Sequence, residues 1–220
     1  MLNLLFILSS SLSQLTDREF KENIINGKAK EPWFVMFTNE NCPNCIIALP
    51  EFEKAAELAR GFVTFSTAQV KDTPEMARRL GVYAVPSFFL FTENGVRPYS
   101  GRRVSISFLN FIADVIGENI DEADESWNDQ TDNRVILFTK RFKPPFSFVA
   151  TYSVLKNKGI TFGISRDSDV IEAFGNPPTP SIWFLKDGKK EQYKGKQDFT
   201  KLIDAISQFY DVEKQTDDGL

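Results

Sequence analysis

Histidine is missing from all 220 residues. That excludes Ser-His-Asp and Cys-His hydrolase arrangements, histidine general bases and histidine-ligated metals. Cysteine occurs twice, at Cys42 and Cys45, which is too few for a four-ligand structural zinc site and too few for the disulfide framework of a small secreted domain. No metal site is expected. An excess of basic charge is lacking: 26 Lys and Arg stand against 30 Asp and Glu, a formal net charge of −4. A dedicated nucleic-acid binder needs a concentrated basic field, so no nucleic-acid partner is expected. No apolar run reaches the ~20 residues that cross a bilayer, so no membrane span is expected. There is no Asn-x-Ser/Thr glycosylation acceptor.

What is present is an ordinary globular composition, 42% hydrophobic and 25% charged, long enough for two domains of about 100 residues each. Leu4 to Leu8 is apolar, and Ser11 and Ser13 supply small residues of a signal-peptidase pattern. Residues 1–13 therefore read as a signal peptide, with Gln14 opening the mature chain. The pattern predicts an oxidising destination, either the endoplasmic reticulum lumen or the exterior, with the bacterial periplasm as the alternative. Thr216 to Leu220 is not a Lys-Asp-Glu-Leu-type retention signal.

The elements of 14–118 alternate. Thr16 and Asp17 cap a short helix carrying Phe20, Ile24 and Ile25 on one face. Trp33 to Phe37 is a buried strand, and Cys42-Pro43-Asn44-Cys45 opens a helix stopped by Gly61. A strand follows at Phe62 to Phe65, then a helix from Pro74 to Gly81. Ser87 to Phe91 and Val96 to Tyr99 make a hairpin, and a helix with Ile106, Leu109, Ile112, Val115 and Ile116 closes the domain. Residues 119–132 form an acidic linker: 118–132 holds seven acidic residues and no basic one. An EF-hand calcium spacing is absent there.

Residues 133–212 then repeat the plan. Val135 to Phe138 matches the first buried strand, and Lys143-Pro144-Pro145-Phe146 stands at the place of the cysteine motif. Pro180 before Ser181 to Leu185 matches Pro86 before Ser87 to Phe91. Asp187-Gly188 matches Asn94-Gly95, and Tyr193-Lys194-Gly195 matches Tyr99-Ser100-Gly101. Residues 213–220 are a polar tail. Strand–helix alternation ending in a hairpin and a helix predicts an α/β fold in two tandem domains, each a central mixed β-sheet flanked by helices.

A Cys-x-x-Cys pair at a helix start suits thiol–disulfide exchange. Unsatisfied N–H groups and the helix dipole favour a thiolate there, lowering a thiol pKa from about 8.5 to roughly 3.5–7.5. Pro43 fits the first helical position, which needs no N–H donor. Cys42 would attack and Cys45 would resolve. An inert structural bridge is the competing reading of the pair.

The sequence resembles the thioredoxin superfamily, and within it the protein disulfide isomerase family. The likeness rests on Phe34-Val35-Met36-Phe37, Cys42-Pro43-Asn44-Cys45, Ala48-Leu49-Pro50-Glu51-Phe52, Leu80-Gly81-Val82, Val85-Pro86-Ser87-Phe88-Phe89-Leu90-Phe91 and Tyr99-Ser100-Gly101 with Arg103. It implies one redox-active domain and one cysteine-free domain of thioredoxin-like fold. It implies a cis Pro86 facing a Cys42–Cys45 disulfide, with Val85, Pro86 and Asn41 touching an extended substrate segment. It also implies an Arg103 that approaches the site and favours ionisation of Cys45. Pro43 and Asn44 replace the usual Gly-His pair, Asn41 the usual Trp, and Met36 a buried acid. No cofactor is implied beyond the redox-active disulfide. The implied partners are unfolded or disulfide-containing client proteins, with glutathione or a partner oxidase exchanging electrons. The implied activity is that of a thiol–disulfide oxidoreductase and isomerase. The alternative is a secretory-pathway chaperone or adaptor with vestigial redox chemistry.

Overall fold

In this computed structural model the residues described are 12–26, 31–129, 131–196 and 198–212. The signal peptide read at 1–13 lies outside them except for its last two residues, and so does the polar tail 213–220. The chain divides into two compact units, Met1–Ile112 and Ala113–Leu220.

The first unit contains strands β1 (Ser13–Leu15), β2 (Trp33–Thr38), β3 (Thr64–Gln69), β4 (Ser87–Thr92) and β5 (Gly95–Tyr99). Its helices are α1 (Asp17–Glu19), which runs into a π-helix (Phe20–Asn26), then α2 (Pro43–Leu58), α3 (Pro74–Leu80) and the start of α4 (Ser105–Gly117). The sheet order is β1-β3-β2-β4-β5. β1 and β2 run parallel to β3, while β4 is antiparallel to both β2 and β5.

β2 is buried on both faces, which is why it reads as an unbroken apolar run. Alternation sends Phe34 to one side, where its ring meets Phe52 of α2 at 5.5 Å, Phe65 at 5.4 Å and Phe108 of α4 at 5.5 Å. Val35 and Phe37 go to the other side, into a cluster with Leu15, Phe20, Ile24, Met76 and Ala77. Burying each such side chain contributes about 1.5–3 kcal/mol relative to leaving it exposed. β2 is thus clamped from both faces, and the loop leaving its end at Thr38 starts from a fixed point.

α3 is capped from a distance. Thr73, at its N-cap, makes no side-chain cap. Instead the Asp17 carboxylate accepts the Glu75 and Met76 N–H groups, each at 3.1 Å. Thr16 and Glu19 form a capping box at α1. Three sequence expectations shift here. The strand read at Phe62–Phe65 runs from Thr64 to Gln69. The segment after α1 is wound as a π-helix that buries Phe20 and Ile24 and leaves Ile25 38% exposed. The short edge strand β1 overlaps the end of the stretch read as a leader, at Ser13, and runs on to Leu15.

The second unit repeats the topology. β6 (Asp121–Glu122), β7 (Arg134–Phe138), β8 (Thr161–Ser165), β9 (Ser181–Lys186) and β10 (Lys189–Tyr193) lie in the order β10-β9-β7-β8-β6. With them are a 3₁₀ helix (Glu125–Asp129), α5 (Phe146–Leu155), α6 (Ser168–Ala173) and α7 (Phe199–Tyr210). The stretch expected to be a linker, 119–132, is largely structure of this unit. β6 pairs with β8, and Ala123 and Trp127 are buried in a cluster with Ile136 and Phe138. Its acidic residues alternate with buried apolar ones, and that alternation was hidden by the charge. The Trp127 ring lies over Gly163, where a Cβ would collide with it, and carries the Arg134 guanidinium 4.6 Å from its centroid.

Register fixes the internal correspondence. Phe37 pairs with Ser87 and Phe138 with Ser181. The hairpins close between Thr92 and Gly95 and between Lys186 and Lys189. Asp187-Gly188 therefore matches Glu93-Asn94, one residue earlier than the sequence alignment placed it. Asp187 and Gly188 both have positive φ, 51° and 74°, as a two-residue primed turn requires. Tyr99 and Tyr193 sit at matching positions. Each ring covers a glycine two residues on, and each hydroxyl donates to a carbonyl three residues on, Arg102 and Lys196.

Candidate functional site

Cys42 is the N-cap of the 16-residue helix α2, with extended backbone angles (φ −90°, ψ 101°) and Pro43 following it in the first turn. Its Sγ accepts the Cys45 N–H at 3.1 Å, and its carbonyl accepts the N–H groups of Cys45 and Ile46 at 3.0 and 3.1 Å. The two cysteines form a disulfide with their Cα atoms 5.2 Å apart. Cys42 is half-buried, whereas Cys45 is 6% exposed. One sulfur is thus reachable and the other lies behind it.

The helix holds Cys45 in place through its buried face, Cys45, Ala48, Phe52 and Ala55, spaced three and four apart against the sheet. Pro50 stands inside the helix and removes one backbone donor. The next residue, Glu51, reaches out of α2: its carboxylate accepts the Ser105 N–H at 2.7 Å and caps α4. That hydrogen bond is the first cause holding the Glu51 carboxyl below the usual carboxylate range.

Asn41, exposed, has a φ of +56°. Asparagine tolerates that left-handed conformation far better than a bulky residue does. Asn41, Cys42, Cys45, Ile46 and Leu49 line an open cleft of about 290 Å³ together with Met36 and Thr38 of β2 and Thr67 and Gln69 of β3. Pro43 and Asn44 are exposed at the start of the helix.

The Val85–Pro86 peptide is cis. Ser87, the next residue, pairs with Phe37, so Pro86 lies at the end of the sheet from which the cysteine loop departs. Val85 packs against the cluster containing Val35 and Phe37. Arg103 is exposed on the turn ahead of α4, and among the described residues it forms no hydrogen bond or ion pair with the cysteine loop. The sequence reading had not singled out Thr67 or Gln69, since alternate polar residues on a strand carry no motif.

The corresponding place in the second unit is built differently. Pro145, not Lys143, is the N-cap of α5, and it offers no side-chain cap. The helix N-cap comes five residues after Phe37 in the first unit and seven after the matching Phe138 in the second. Arg166, one residue beyond β8, donates to the carbonyls of Arg141 at 2.9 Å and Phe142 at 2.7 Å and to Glu122 at 2.6 Å. Phe142 itself is 87% exposed. Thr179–Pro180 is cis, as Val85–Pro86 is.

A mixed sheet in this strand order, a disulfide at the start of the helix after its central strand and a cis proline at the same sheet end define a thioredoxin-fold dithiol protein. Residues 11–114, nearly all of the first unit, match the Thioredoxin family model.

Among curated relatives, the human DnaJ homolog subfamily C member 10 is 29% identical over 91 residues, covering 41% of this chain and 12% of that protein. A putative protein disulfide-isomerase of Dictyostelium discoideum is 22% identical over 189 residues, covering 79% of this chain and 46% of that protein. The crystal structure of full-length ERdj5 superposes with a TM-score of 0.67 at 16% identity, over 91% of this chain and 32% of that one; this likeness is one of fold. The chain therefore spans about an eighth to a half of the length of these relatives. No helix among the described residues is long and apolar enough to cross a membrane.

Proposed function

We infer that the protein is a thiol–disulfide oxidoreductase that exchanges disulfides with client polypeptides through Cys42 and Cys45, in an oxidising compartment of the secretory pathway. One observation carries the reading: the half-buried Cys42 sulfur accepts the Cys45 N–H at the start of a long helix, with Cys45 buried behind it. In the reduced protein the same N–H and the helix dipole favour a Cys42 thiolate.

The electrons balance without a bound cofactor. The Cys42 thiolate attacks a client disulfide, forming a mixed disulfide and expelling one client thiolate. Cys45 then gives up its proton and attacks the Cys42 sulfur. The Cys42–Cys45 bond forms, the second client thiolate leaves, and the client has gained two electrons. The reverse sequence oxidises the client, with glutathione or a partner oxidase restoring the pair.

Val85 and Pro86 support docking of an extended segment. The backbone groups of Val85 take no part in the loop and turn hydrogen bonds among the described residues, leaving them for strand-like pairing. The leader pattern at 1–13 and the resemblance to disulfide isomerases support the compartment.

The test is insulin reduction and reactivation of scrambled ribonuclease. Cys42→Ser should abolish both, and Cys45→Ser should retain attack but accumulate a client-linked mixed disulfide. Unchanged turnover in Cys42→Ser would remove the assignment.

A second reading, a chaperone that holds unfolded chains, is favoured by the exposed apolar residues beside the dithiol, Ile46 at 69% and Ile47 at 74% exposure. It predicts that Cys42→Ser suppresses aggregation as well as wild type does while neither protein alters disulfides.

A further inference from the structure

When Cys45 attacks the mixed disulfide it must first lose a proton, and it is buried. Among the described residues, the cleft it lines contains no carboxylate, lysine, arginine or histidine; apart from the two cysteines, the polar residues around it are amides and threonines. A proton leaving Cys45 therefore has to reach solvent through groups that do not themselves ionise. Met36, one of two β2 residues lining the cleft, is fully buried and apolar. Its register partner on β3 is Thr67, and the next residue on the same face of β3 is Gln69.

Gln69 is unusual in two ways. It is half-buried, and its Oε1 is covered without a hydrogen-bond partner among the described residues. Leaving such an acceptor unpaired is costly, so it is ordinarily satisfied by water. The terminal torsion of a glutamine is broad, which lets the amide turn toward the adjacent cleft at little cost. That cleft, about 290 Å³, has room for several waters, each occupying ~30 Å³ in the liquid.

The second unit supplies independent support. Continuing the β7–β8 register by one residue, Arg166 stands where Gln69 does, and its guanidinium holds the Arg141 and Phe142 carbonyls. A side chain at this position in the fold reaches the loop between the central strand and the helix. In the first unit that loop carries the dithiol.

We propose that Gln69, with the Thr67 hydroxyl, positions a solvent water in the cleft beside Cys45 that takes the Cys45 proton as the thiol attacks and returns it when the disulfide is opened. The step balances: the Cys45 S–H proton passes to water, the Cys42–Cys45 bond forms, and the client sulfur leaves as a thiolate that is protonated from bulk solvent. Gln69 is a positioning residue and forms no bond to the reacting sulfur. The inference rests on the exchange chemistry proposed above.

The experiment uses the full chain with glutathione as the probe. The Cys42–glutathione mixed disulfide is formed, and its resolution by Cys45 is followed by acid quench and mass spectrometry between pH 5 and 9. Alkylation of Cys42 is measured in parallel. Positioned proton transfer contributes about 10²–10⁴-fold in enzymes, so Gln69→Leu should slow resolution at least about tenfold with Cys42 alkylation as in wild type. Gln69→Glu should restore the rate at neutral pH and add an acidic limb to the profile. Equal resolution in wild type and Gln69→Leu overturns the proposal. So does a slow Gln69→Glu with a wild-type pH profile, which would mark the residue as structural. A wild type that never resolves the mixed disulfide overturns the exchange reading as well.

Discussion

Asn41 shows what a single backbone angle asks of the residue before the dithiol. At φ +56° a β-branched side chain is strained by roughly 1–2 kcal/mol. Asn41→Val should lower the first unit's urea midpoint accordingly, and Asn41→Gly should stay within about 0.5 kcal/mol of wild type, the usual range for a compatible surface change. Gly101 asks the opposite, since a Cβ there would stand 2.6 Å from the Tyr99 hydroxyl oxygen. Overpacking of this kind costs about 1–3 kcal/mol. Gly101→Ala should therefore destabilise the first unit and Gly195→Ala the second, as read by denaturant titration. The cysteines and Pro86 were legible because their chemistry is tied to a spacing or to a fixed ring. Gln69 was not, because its significance lies in what it lacks a partner for.

At the level of elements, the long strands and helices were legible from apolar periodicity and from glycine and proline stops. β1 and β6, three and two residues long, were not. Such short edge strands are specified by their neighbours, as in Ser13 beside Ser66, whose hydroxyls meet at 2.7 Å. Charge misled as well, since the acidic stretch read as a linker buries Ala123 and Trp127. Two caps made by residues distant in sequence lead to measurable outcomes. Asp17→Ala should cost about 1 kcal/mol, typical of a lost helix cap, seen as a lower chemical-denaturation midpoint. Glu51, whose folded pKa is depressed by the Ser105 N–H, contributes stability that is present above its unfolded pKa and lost as pH falls through the folded value. Replacing it by glutamine should flatten that acid-side loss, measured as the melting temperature from pH 7 down to pH 3.

For the whole molecule, the repeat leaves two units of which only the first carries cysteines. Each unit carries its own core, so a change buried in one should leave the chemistry of the other intact. Tyr210 tests this. Its hydroxyl donates to the Arg134 carbonyl and accepts the Leu185 N–H at 3.0 Å, tying β7 to β9, and burial raises its pKa. Tyr210→Phe should cost about 1–3 kcal/mol by leaving those groups unpaired, lowering the second unit's transition while insulin reduction proceeds at the wild-type rate. The two copies also share the tyrosine that shelters a glycine two positions later. In each copy a Cβ at the glycine would meet the ring, so the two positions are coupled. A methyl group at 101 should become harmless once the ring at 99 is cut back, a coupling that a double-mutant cycle would register as a gain over the sum of the separate losses.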